Sequence, residues 1–205
     1  IIASSSSGTP VTQIASEAKH PERIIVGHPF NPAYLLPLIE ICGGQKTDPA
    51  VIEAAREFYK MYDKAPCVLH KEKNGFIANR LMHALWREEI ALVTEGVCSM
   101  ADADDAWTFG PGIRLAAVGP GMNYELGGGT LGIKGCGIKF GAMTNAVFAD
   151  ISDMKKVPDT WPDLSGEEII KENAGMPDVI GHTNEEIAAF RDNLIVDVLK
   201  LHKRM

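Results

Sequence analysis

The sequence is poor in the features that would set it apart from an ordinary globular protein. Aromatic residues make up only 7% of its 205 positions, and its four cysteines, Cys42, Cys67, Cys98 and Cys136, stand far apart. No C-x-x-C occurs, which argues against a disulfide framework or a cysteine-rich zinc site. Cys67-x-x-His70 is the one Cys–His pair at ligand-like spacing, and without a second such pair it makes a poor metal centre. Free thiols point to a reducing compartment, and the cytoplasm is the expectation. Long hydrophobic runs are missing too. Residues 33–39 are interrupted by Pro37 and residues 194–199 by Asp197, far short of the ~20 apolar residues of a membrane span. Basic charge is scarce: 20 Lys and Arg face 27 Asp and Glu, for a net charge of −7. That balance argues against a nucleic-acid backbone or an anionic membrane as partner.

What is present suffices for a core. Hydrophobic residues reach 45% and charged residues 23%, near the globular average, and the length suits one domain or one and a half. The chain opens on Ile1-Ile2-Ala3-Ser4, with neither an initiator methionine nor a secretory signal. It reads like the middle of a buried strand, so the expectation is a C-terminal piece of a longer protein.

Four short β-branched runs bounded by turn residues read as strands: residues 1–3, 24–27, 38–42 and 67–69. Thr47-Asp48-Pro49 supplies a cap and a first-turn proline for a helix running to about Tyr62. From Gly75 to about Gly96 the spacing of Ile77, Leu81, Leu85 and Leu92 predicts a long helix. Ser99-x-x-Asp102, Ser165-x-x-Glu168 and Thr183-x-x-Glu186 are three candidate capping boxes, the last opening a helix that nearly reaches Met205. The fold expected is therefore an α/β layer over residues 1–72, followed by an all-α domain over residues 73–205.

The densest chemistry lies in Gly27-His28-Pro29-Phe30-Asn31-Pro32, followed by Glu40. His28 follows a predicted strand, on the edge where open α/β sheets place ligands. A turn-back would bring the Glu40 carboxylate beside the imidazole. A His–carboxylate pair is what alcohol oxidation requires, because the hydroxyl proton must leave as hydride departs from the same carbon. Spacing alone also admits a plainer role, with His28 capping a turn and Glu40 exposed. Asn79, one turn into the long helix, is placed to hydrogen-bond a substrate oxygen or simply to face solvent. Ser4 to Ser7 form either a flexible loop or a polar lining at a strand end.

These residues together resemble the L-3-hydroxyacyl-CoA dehydrogenase family. The resemblance is carried by Ser4 to Ser7, His28-x-x-Asn31-Pro32, Glu40 and Gly75-Phe76-Ile77-x-Asn79-Arg80. The run from His28 to Leu38, with His20-Pro21-Glu22-Arg23 before it and Ala84-Leu85-Trp86-Arg87-Glu88 after it, is most similar to the branch acting on carnitine. The lambda-crystallin (L-gulonate 3-dehydrogenase) branch comes next. The resemblance is in register from residue 1 to about residue 98, and Phe109-Gly110-Pro111-Gly112-x-Arg114 extends it.

This resemblance implies the late part of a Rossmann dinucleotide-binding domain, then a helical domain like the C-terminal domain of 6-phosphogluconate dehydrogenase, which binds substrate and dimerises. It implies His28 as catalytic base with Glu40 as its partner, Ser7 and Asn79 at the reacting oxygen, and Asn31 at the nicotinamide end of a bound NAD. The substrate implied is a carnitine-like 3-hydroxy acid, with L-gulonate or a 3-hydroxyacyl-CoA as alternatives. A crystallin-like structural role is the non-enzymatic one. The family's phosphate-binding glycine loop is expected upstream of Ile1.

Gly127-x-Gly129-x-x-Gly132 matches a dinucleotide fingerprint letter by letter, but no predicted strand leads into it. A loop near the substrate or the dimer contact is the expectation for residues 127–137. His83 and Arg87 follow Asn79 at helical spacing, as a cleft wall or a solvated face. Trp86, Trp107 and Tyr124 are candidates either for a trimethylammonium cage or for plain core.

Overall fold

A computed structural model describes residues 1–205. It divides into two compact units, one of Ile1–Ala84 with Ala188–Met205, the other of Leu85–Ile187.

The first unit is built on a four-stranded sheet of order β1-β2-β3-β4, with β1 at Ile2–Ser4, β2 at Ile24–Pro29, β3 at Leu38–Gly43 and β4 at Ala65–Leu69. β1 runs parallel to β2 and β3 parallel to β4, while β2 and β3 are antiparallel. Each predicted strand is present, with ends shifted by a residue or two. β1 lies at one edge of these four strands, with Ile2 63% exposed.

Alternation sorts the strand residues onto two faces. Ile25, Ile39 and Ile41 point one way and pack with Ala55, Val51, Ile52 and Tyr59 of α2 (Pro49–Met61). The α2 start is as the sequence predicts: Pro49 opens the first turn, and Asp48 accepts a hydrogen bond from the Ala50 N–H at 2.8 Å. Ile24, Val26, Cys42 and Leu69 point the other way. They pack with Val11 and Ala15, of and just beyond the short helix α1 (Val11–Ile14), and with Phe76. His28 and Glu40 continue this second face.

The second unit is helical. Its core gathers Ile90 and Val93 of α3 (Ala78–Thr94), with Trp161 of α8 (Trp161–Gly175), Cys98, Met100, Met154 and Leu164. Ser99 and Asp102 form a reciprocal capping box at the start of α4 (Met100–Trp107). Thr183 and Glu186 do the same for α9 (Asn184–Leu201). The expected box at Ser165-x-x-Glu168 is not formed: α8 begins at Trp161, and Ser165 lies inside it, its hydroxyl donating to the Pro162 carbonyl. Pro162 in the first turn and the burial of Trp161 fix that start.

Between α4 and α8 run a π-type turn at Thr108–Gly112 around Pro111, α5 (Ile113–Ala117), α6 (Pro120–Gly127) and α7 (Gly132–Asp150). The loop expected over residues 127–137 is thus mostly helix. Its glycines serve a close crossing of α6 and α7. A Cβ on Gly128 would collide with the Gly132 carbonyl oxygen, and one on Gly135 with the Gly128 carbonyl oxygen. Glu125 then accepts from the Ile133 N–H at 2.7 Å and caps α7. No strand leads into this glycine motif. α7 buries only Gly132, Gly135 and Cys136, and leaves Ile138, Met143, Val147 and Phe148 exposed.

Candidate functional site

The antiparallel pairing of β2 with β3 sets His28 directly opposite Glu40. Residues paired across two strands share a face, so the imidazole and the carboxyl meet. Nδ1 of His28 lies 2.8 Å from Oε2 of Glu40. Both side chains are buried, 6% and 1% exposed. His28 is the penultimate residue of β2 rather than the residue just past it, because the antiparallel ladder extends to Pro29.

The other carboxyl oxygen is also engaged. Oε1 of Glu40 accepts from the backbone N–H groups of Ile77 and Ala78, at 2.8 and 2.9 Å, where α3 begins. A helix N-terminus presents free N–H groups and a positive dipole end, a favourable seat for an anion. With Glu40 a hydrogen-bond acceptor there, the proton of the His28 contact belongs on Nδ1. Nε2 of the neutral ring is then left with its lone pair and without a partner. Phe30 stands edge-on to the imidazole at 6.3 Å between centroids, and Phe76 lies tilted against it at 5.4 Å.

Two further expected residues meet each other. The Asn79 side-chain amide donates to the Ser7 carbonyl oxygen at 2.9 Å, across 72 positions of sequence. Ser7 follows the end of β1, so it lies on the same sheet edge as the end of β2. The His28–Glu40 pair, the first turn of α3, Asn79 and Ser7 therefore form one polar group at the C-terminal ends of two parallel strands. This is the edge at which open α/β sheets bind ligands. Asn31 sits exposed in the turn after β2 and makes none of these contacts. Among the charged residues elsewhere, no group of three or more His, Cys, Asp or Glu could hold a metal ion.

Sequence reasoning missed the Ile77 and Ala78 amides and the two flanking rings. The amides carry no side-chain signal, and Phe30 and Phe76 enter the sequence reading only as letters of the two motifs, with no role of their own. The donor set suits the nicotinamide end of a dinucleotide: a buried imidazole with one free nitrogen, amide and carbonyl groups beside it, and no competing charge on that nitrogen.

The chain is similar to known proteins along its whole length. Residues 1–73 match the family model described as 3-hydroxyacyl-CoA dehydrogenase, NAD binding domain. Residues 75–159 match the C-terminal domain of the same family. An L-carnitine dehydrogenase of Streptomyces griseus is 37% identical over 206 residues, covering 100% of this chain and 59% of the relative. One of Pseudomonas putida is 39% identical over 211 residues, covering 99% and 61%. The chain thus spans about three-fifths of the length of these relatives. Among solved structures, an NAD+-dependent dismutase, 5-formyl-3-hydroxy-2-methylpyridine 4-carboxylic acid 5-dehydrogenase, superposes with a TM-score of 0.78 at 27% identity, over 99% of this chain and 63% of that one. A (S)-3-hydroxybutyryl-CoA dehydrogenase of Ralstonia eutropha gives 0.52 at 28% identity, over 55% and 39%. No helix is long and apolar enough to cross a membrane. By both of its matched domains, this chain belongs to the 3-hydroxyacyl-CoA dehydrogenase family of NAD-binding oxidoreductases.

Proposed function

We propose that the protein oxidises the hydroxyl of a carnitine-like 3-hydroxy acid to the 3-oxo acid. Bound NAD supplies the hydride acceptor. His28 takes the hydroxyl proton on Nε2 as the carbon–hydrogen bond breaks, and Glu40 fixes the tautomer through Nδ1 and stabilises the imidazolium that forms. The Asn79 amide, already turned toward Ser7, orients the substrate oxygen together with Ser7. Asn31 supports the nicotinamide end. The observation that carries this reading is the 2.8 Å His28–Glu40 contact with Nε2 left free.

Similarity to L-carnitine dehydrogenases along the whole chain supports the carnitine-like substrate. A 3-hydroxyacyl-CoA is the second reading, supported by the family models and the Ralstonia eutropha enzyme. The helical domain is proposed to dimerise, and the exposed apolar side chains of α7 support that.

The test is cofactor reduction by the full-length protein, followed by nicotinamide absorbance. L-carnitine, L-gulonate and L-3-hydroxybutyryl-CoA are offered in parallel. The highest kcat/KM is expected with L-carnitine. A higher value with the thioester transfers the assignment to acyl-CoA chemistry, and no reduction with any of them refutes the proposal.

A further inference from the structure

We infer that Phe76 is a positioning residue that holds both members of the His28–Glu40 pair. The inference rests on the dehydrogenase reading of that pair. Phe76 has φ +50°, in the left-handed region that a bulky residue seldom occupies, and it follows Gly75 at φ +75°. Such a conformation persists only where the surroundings over-determine it, and it concentrates at functional sites.

Here the surroundings are visible. The Phe76 ring is 2% exposed and packs in the cluster of Val11, Ala15, Ile24, Val26, Cys42 and Leu69. Its N–H donates to the Lys73 carbonyl at 3.0 Å, closing a turn. The chain then leaves that turn with the next two N–H groups, those of Ile77 and Ala78, converging on one oxygen of Glu40. The same ring forms a wall of the imidazole, 5.4 Å away and tilted by 48°. One buried side chain thus sets the donors that seat the carboxylate and limits the orientation of the base. A ring that merely filled core would need neither the left-handed backbone nor the contact with His28.

The experiment compares Phe76→Leu with Val11→Ala in the full-length protein. Val11 is fully buried in the same cluster but touches neither His28 nor Glu40 through any hydrogen bond or ring. The first readout needs no turnover: the proton magnetic resonance of the His28 Nδ1–H, which the buried carboxylate protects from exchange. The second is kcat and KM with L-carnitine.

Phe76→Leu should broaden or abolish the protected resonance. It should lower kcat by about tenfold or more with KM changed by less than about threefold, since small misplacements of a catalytic group act on the chemical step. Val11→Ala should keep the resonance and leave kcat within about twofold of wild type. An unchanged resonance in Phe76→Leu overturns the inference, and so does an equal loss in Val11→Ala, which would assign Phe76 to packing alone. Loss of the resonance with kcat intact would uphold the positioning and refute the catalytic reading of the pair instead. If Phe76→Leu fails to fold, Phe76→Met carries the same expectations with a more adaptable side chain.

Discussion

Glu40 is bonded through both carboxyl oxygens, Oε2 to His28 and Oε1 to the amides of Ile77 and Ala78. The carboxyl therefore joins the end of β2 to the start of α3. Replacing it removes more than a partner of the imidazole. Glu40→Ala leaves two partly buried N–H groups and one buried imidazole N–H without acceptors, and about 3–5 kcal/mol of stability should be lost. Glu40→Gln keeps the shape and one carbonyl oxygen, so the fold should survive while kcat falls roughly 10²–10⁴-fold. Denaturant titration and steady-state kinetics on the two variants separate these effects.

Gly27 precedes His28, and a Cβ there would collide with the Tyr59 hydroxyl of α2. Gly27→Ala should cost about 1–3 kcal/mol through overpacking. Tyr59→Phe in the same background should recover part of that loss, because the hydroxyl is the nearest obstacle. Unfolding curves of the single and double variants form a cycle, and strict additivity would contradict the assignment.

The helical unit carries a cluster of carboxyls. Burial pushes Glu172 up to about 7, aided by the charge of Asp104, a hydrogen bond shared with it, and the charges of Asp105 and Glu89. Burial also raises Asp104 and Glu89. A carboxyl raised in the fold keeps a proton that the unfolded chain has already released. Its contribution to stability is therefore full below the ordinary value of 4.5 and is lost as pH rises through about 7. The melting temperature should decline across that window, and Glu172→Gln should flatten the decline. A wild-type profile that rises across it would contradict the picture.

Burial and the nearby charges of Glu72 and Glu40 push the Cys42 thiol up to about 11. Cys67, on the adjacent strand, is exposed. Since the thiolate is the reactive form, iodoacetamide at mildly alkaline pH should label Cys67 and spare Cys42, as mass spectrometry of peptides would show. Labelling of native Cys42 at a comparable rate would refute its burial.

Much of the site is legible in the sequence because its signals are local. His28 and Glu40 are twelve residues apart on two strands joined by a turn, so strand prediction alone brings them near. The Asp48, Ser99 and Thr183 caps are read from side chains that bond to amides two or three positions away. The parts that escape depend on distant chain. The start of α8 follows from the burial of Trp161 against Ile90 and Val93, not from the Ser165 pattern. Helix in the glycine-rich segment follows from how closely α6 approaches α7. The amides that seat Glu40 lie 37 and 38 positions beyond it, and their convergence depends on a left-handed Phe76 that no propensity would suggest.

The central claim is that the free nitrogen of His28 removes the substrate proton. Its most direct test is kcat of His28→Ala against wild type in the full-length protein with L-carnitine and NAD, both saturating, after the variant's fold has been verified. A fall of roughly 10²–10⁴-fold is expected of a lost general base. A fall of less than about tenfold, worth only ~1.4 kcal/mol of barrier, would contradict the account.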